Sequence, residues 1–150
     1  MNAEIITSLG KMGAGIVICL AAVGSALGTG IAGMTAIGAW KKCYAQNKAA
    51  PFLLFAFVGA PLSQTIYGMI LMFAMIGKAN AGVPWPLLVG TGVFGGLAIG
   101  VSAWFQGKAG AAGSVALTET GMGFTNYLAV LGIIETVAIF VMVFLMMAIG

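Results

Sequence analysis

The sequence predicts an all-α membrane protein: four transmembrane helices arranged as two tandem hairpins that form a parallel repeat. Three observations carry this. Of 150 residues, 61% are hydrophobic and only 6% are charged, against roughly 25% charged in soluble domains. The apolar residues fall into four runs long enough to cross a bilayer. Residues of the first half also recur in the second at a nearly constant offset.

A spanning helix needs roughly 20 apolar residues, because only a helix or a closed barrel satisfies its own backbone in lipid. The runs cover about 12–40, 51–77, 86–117 and 126–149. Barrel strands would alternate in polarity over about 9 to 11 residues, and nothing here alternates for long. The first and third runs exceed one bilayer crossing, so they tilt or project beyond the hydrocarbon. Pro51 and Pro86 stand where proline is tolerated, in the first turn of a helix. The connections are short: 41–50, 78–85 and 118–125.

The repeat is read residue by residue. Ser25, Ala26, Gly30, Ala32 and Gly33 recur 77 residues on as Ser102, Ala103, Gly107, Ala109 and Gly110. In the second helix of each half, Val58-Gly59-Ala60-Pro61-Leu62 matches Leu131-Gly132-Ile133-Ile134-Glu135, 73 residues on. The hairpins are therefore 1–77 and 78–150. Two helices per unit make the repeat parallel, unlike the inverted repeats of many alternating-access transporters. Glu135 aligns with Leu62, so the doubled unit keeps one acid instead of two.

Lysines set the orientation. Lys41, Lys42 and Lys48 crowd the first turn, while Lys78 stands alone in the middle one and Lys11 lies near the N-terminus. Lys108, in the third run, is expected to snorkel toward the same side as the first turn. By the positive-inside rule the two hairpin turns are cytoplasmic and both termini lie opposite, in a multi-pass protein of the cell membrane. Residues 1–11 carry Glu4 rather than a basic leader, so they do not read as a signal peptide.

Composition excludes several classes. The net charge of +3 comes from scattered lysines, which leaves no basic stripe for nucleic acid. Two lone cysteines, Cys19 and Cys43, build neither a disulfide framework nor a metal site. There is no Walker-type loop, so nucleotide chemistry is not expected in this chain.

Glycine and alanine fill more than one face of the odd helices: Gly24, Gly28, Gly30, Gly33 and Gly38 in the first, Gly92 to Gly113 in the third. Small residues let membrane helices approach to backbone contact. The even helices carry Phe52, Phe55, Phe73 and Phe140. Thin helices paired with thick ones make a wedge, and wedges related by rotation close into a ring.

The central feature is Glu135, about ten residues into the last span. A carboxylate at that depth must pair, bind an ion or take a proton. Ser63, Gln64, Thr65 and Tyr67 interrupt the otherwise apolar second run, and Gln106 lies in the third. One negative charge among neutral oxygens suits a hard monovalent cation. Pro61 frees the carbonyl of Phe57 and loosens the turn around Ala60. Tyr67 shares a helical face with Ser63 and Gln64, from which its hydroxyl reaches Glu135.

The motifs Pro61-Leu62-Ser63-Gln64-Thr65-Ile66-Tyr67-Gly68, Phe105-Gln106-Gly107-Lys108-Ala109 and Ile134-Glu135-Thr136 together resemble the proteolipid rotor subunit of V-type ATPases, in its doubled form. The resemblance covers essentially the whole chain. It implies a ring of about ten copies turning against a static membrane subunit that bears an essential arginine, with central-stalk subunits as further partners. The chain would be a non-catalytic part of that machine, coupled to ATP hydrolysis or synthesis in a soluble head. It is closest to the sodium-carrying branch, which implies Na+ bound by the Ala60 carbonyl, Ser63, Gln64, Gln106 and Glu135, with Tyr67 as a latch. The alternatives are H+ in the same rotor role and, from another class, a small four-helix secondary transporter.

Overall fold

A computed structural model describes residues 2–150; Met1, the first residue of the first hairpin, lies outside the described residues. Four helices long and apolar enough to cross a membrane make up the chain: α1 (Ala3–Ala45), α2 (Leu54–Asn80), α3 (Trp85–Thr120) and α4 (Phe124–Ala148). All four expected spans are present, but several of their limits move outward. α1 begins at Ala3, where Asn2 Oδ1 accepts the N–H of Ile5 as an N-cap, and continues through both lysines to Ala45. At 1.5 Å per residue it is about 65 Å long, twice the hydrocarbon thickness.

The connections are correspondingly tighter than expected. Pro86 does occupy the first turn of its helix, whereas Pro51 precedes α2, whose first helical residue is Leu54. Trp40 closes this connection by donating its indole N–H to the Pro51 carbonyl at 2.8 Å. Between α3 and α4 only Gly121, Met122 and Gly123 are non-helical. Both glycines have positive φ, 69° and 88°, a region that a side chain disfavours.

The two odd helices form the spine. α1 and α3 pack along their length, α2 lies on α1, α4 lies on α3, and α2 meets α4. A methyl at Gly24 would strike the backbone of Gly100, and one at Gly107 would strike that of Gly28. These pairs are in backbone contact, as small residues in membrane helices permit. At the end of the molecule holding both hairpin turns, Lys42 Nζ binds Glu119 Oε1 at 2.9 Å. Beyond the hydrocarbon, this hydrogen bond first and the charges second raise the pKa of Lys42 and lower that of Glu119. Both side chains are more than half exposed, so the pair adds little to stability.

Two local features were not expected. α3 contains a π-helical turn, Thr91–Gly95. Lys108 does not reach toward the hairpin-turn end. Its ammonium lies back over Trp104, 4.0 Å from the ring centroid, and 5.2 Å from that of Phe105. Helical side chains lean toward the helix N-terminus, and the indole one turn earlier offers the cation a seat there.

Candidate functional site

The site is assembled by a break in α2. Pro61 has no N–H to continue the helix, and the chain responds with one 3₁₀ turn, Ala60–Leu62. The turn is tightened rather than loosened. The carbonyl of Ala60 accepts both the backbone N–H of Ser63 and its hydroxyl, the latter at 3.0 Å. The Phe57 carbonyl, deprived of its helical partner, faces Gly110, where a methyl would come within 2.8 Å of it.

From this turn a continuous polar chain runs across three helices. Ser63 Oγ lies 3.2 Å from Gln64 Oε1. Gln64 Nε2 donates to Gln106 Oε1 at 2.8 Å. Gln106 Nε2 donates to the Leu131 carbonyl at 3.0 Å and to Glu135 Oε2 at 3.2 Å. The Tyr67 hydroxyl donates to Glu135 Oε1 at 2.5 Å. All six residues expected at the site are thus brought together.

Burial orders this cluster. Gln64 and Gln106 are fully buried, so their amides must be satisfied, and they satisfy each other. Ser63, Tyr67 and Glu135 are half-buried. Each carboxylate oxygen of Glu135 accepts one hydrogen bond, and each keeps a lone pair for a further partner. The other glutamate of the second hairpin, Glu119, is exposed and ion-paired at the far end. Among the described residues no three His, Cys, Asp or Glu side chains gather. The donors at hand are neutral oxygens around one carboxylate.

One contributor was missed from sequence, the Leu131 carbonyl that anchors Gln106. A backbone oxygen leaves no mark in residue types. Ser102, used only to establish the repeat, donates to the Ile134 carbonyl at 2.9 Å and ties α3 to α4 one residue before Glu135.

The repeat is visible in the hydrogen bonds themselves. Ser63 donates to Ala60 and Thr136 to Ile133, at 3.0 and 2.7 Å, and both members of the pair differ by the 73-residue offset. Fold and site together define a multi-pass membrane protein of two related hairpins that hold one carboxylate among neutral oxygens within the spans. Residues 89–148 match the family of the ATP synthase C subunit, and this hairpin, with Gln106 and Glu135, belongs to that family of rotary-ATPase proteolipids. The A-type ATP synthase subunit K of Methanocaldococcus jannaschii is 33% identical over 132 residues, covering 88% of this chain. The chain spans 57% of that relative's length. The alignment reaches beyond the second hairpin, since 132 residues exceed its length.

Proposed function

We propose that the chain is the membrane rotor subunit of a rotary ATPase and carries Na+ across the membrane on Glu135. The observation that carries this is the unbroken line of oxygens from the Ala60 carbonyl through Ser63, Gln64 and Gln106 to Glu135. A proton needs only the carboxylate and one partner. Four further oxygens, two of them on fully buried amides, suit an ion that must exchange its water shell for protein ligands.

The sequence of events follows from the geometry. With Na+ absent, Ser63 and the two amides satisfy one another, and Glu135 rests on Tyr67 and Gln106. Entry of the ion displaces the Ser63 hydroxyl proton from the Ala60 carbonyl and turns the amide oxygens inward. One positive and one negative charge then cancel, which removes most of the penalty for moving a carboxylate past lipid. Tyr67 keeps the carboxylate turned toward the ligands. By the family resemblance, about ten such copies form a ring facing a static subunit whose arginine empties each site. ATP is made or hydrolysed in a separate head.

The test is carbodiimide modification of Glu135, which attacks the protonated carboxyl. Added sodium at fixed pH is expected to slow it, with potassium as control. Equal rates with and without sodium would leave a proton as the cargo. The latch has its own signature. Hydrogen bonds to charged groups contribute about 1.5–3 kcal/mol, so Tyr67→Phe should weaken sodium protection by about 10- to 150-fold in concentration. Assembly, read by native mass, should not change.

A further inference from the structure

Within the chain, the second hairpin docks on one face of the first. Leu20, Gly24 and Gly28 of α1 meet Gly96, Gly100 and Gly107 of α3. Adding the 77-residue offset carries the first set to Leu97, Val101 and Phe105; subtracting it carries the second set to Cys19, Val23 and Gly30. All six counterparts are exposed, while the five glycines of the internal contact are buried. Leu97, Val101 and Phe105 line a groove of about 680 Å³ between α3 and α4, with Ile133, Ile134 and Val137 on its other wall. The face that receives a hairpin is therefore free on the second hairpin, and the face that is received is free on the first.

Thr29 supplies an independent observation. It is the repeat counterpart of Gln106, and its hydroxyl oxygen is buried without a partner among the described residues. An unmade hydrogen bond at a buried hydroxyl is costly. Beside it in the repeat, Leu62 stands for Glu135. The counterparts of Ser63, Gln64 and Tyr67 are Thr136, Val137 and Phe140, all exposed on α4.

We propose that the α3–α4 groove of one copy receives α1 of a second copy, and that their boundary contains a neutral counterpart of the ion site. Thr29 and Leu62 come from one copy; Thr136, Val137 and Phe140 come from its neighbour. This rests on the multi-copy assembly of the preceding reading. Thr136 gives its own proton to the Ile133 carbonyl at 2.7 Å, so its oxygen is free to accept from Thr29. Without a carboxylate the pocket has nothing to neutralise a cation and holds none. The boundary also differs in width from the contact inside the chain. Val23, Val101 and Phe105 replace glycines that touch backbone to backbone, so a closed assembly alternates narrow and wide spacings between its inner helices.

The experiment is cross-linking between copies, with the native cysteines replaced (Cys19→Ala, Cys43→Ala). Phe105→Cys combined with Gly30→Cys mirrors the Gly28–Gly107 contact, and Val137→Cys with Thr29→Cys mirrors Gln64–Gln106. Oxidation of the first pair, or a short bifunctional thiol reagent on the second, should give a ladder of covalent multimers. Each single variant should give none. A multimer intact by native mass, yet cross-linked by neither pair, would overturn the docking faces and leave the rotor reading standing. A monomeric parent protein would overturn both.

Discussion

Replacing Glu135 by glutamine should reduce ion-coupled turnover by about 100-fold or more while leaving the multimer intact. The amide nearly matches the carboxylate in shape and can still accept from Tyr67, so the fold has little reason to change. What disappears is the negative charge. A cation left without neutralisation among buried amides costs several kcal/mol, and each 1.4 kcal/mol is a factor of ten. The measurement is sodium uptake or sodium-dependent ATP turnover in vesicles carrying the whole complex. Retained sodium coupling in Glu135→Gln would move the carrier elsewhere, and no second carboxylate lies near mid-membrane to take the role. Glu119, exposed and paired with Lys42, is not positioned for it.

The second large effect concerns the spine. Gly107→Leu should prevent α1 and α3 from closing and cost the chain most of its resistance to thermal unfolding in mild detergent. The first atom of the new side chain would meet the backbone of Gly28. Overpacking usually costs about 1–3 kcal/mol because side chains and backbone can shift; here the obstacle is a helix backbone held on both sides, so the upper end or beyond is expected. Gly77→Ala is the contrast. Nothing lies within 4 Å of its added methyl, and relief from glycine's helical cost should leave stability equal or higher by about 0.5–1 kcal/mol. Equal melting of Gly107→Leu and the parent would mean that the glycine face is not what joins the helices.

The spans and the site were legible for one shared reason: in lipid, polarity is rare enough that each exception points to its partner. Ser63, Gln64, Tyr67, Gln106 and Glu135 are the principal polar interruptions near mid-span, and they find one another. The helix ends were less legible. Outside the hydrocarbon, hydropathy no longer separates helix from turn, so residues 3–11 and 41–45 continue α1 without an apolar signal. Lys108 misled because snorkelling treats depth alone, whereas Trp104 one turn back offers a nearer seat. The Lys42–Glu119 pair sits at the 77-residue offset, yet its sign complementarity becomes meaningful only once α1 and α3 are known to be neighbours. The π turn at Thr91–Gly95 had no advance signal, since glycines there read equally as packing residues.

Backbone contact along α1 and α3 has a consequence for speed. Helices locked at Gly24–Gly100 and Gly28–Gly107 shift only in slow collective motions of microseconds or longer, whereas a partly exposed side chain changes rotamer in nanoseconds or less. Tyr67 and Glu135 are both half-buried, and their mutual bond opens by rotation about side-chain torsions alone. Loading and release therefore need no helix to move. The gate has a short clock set on a frame with a long one, and the dwell at each station is left to the partner that the acid meets.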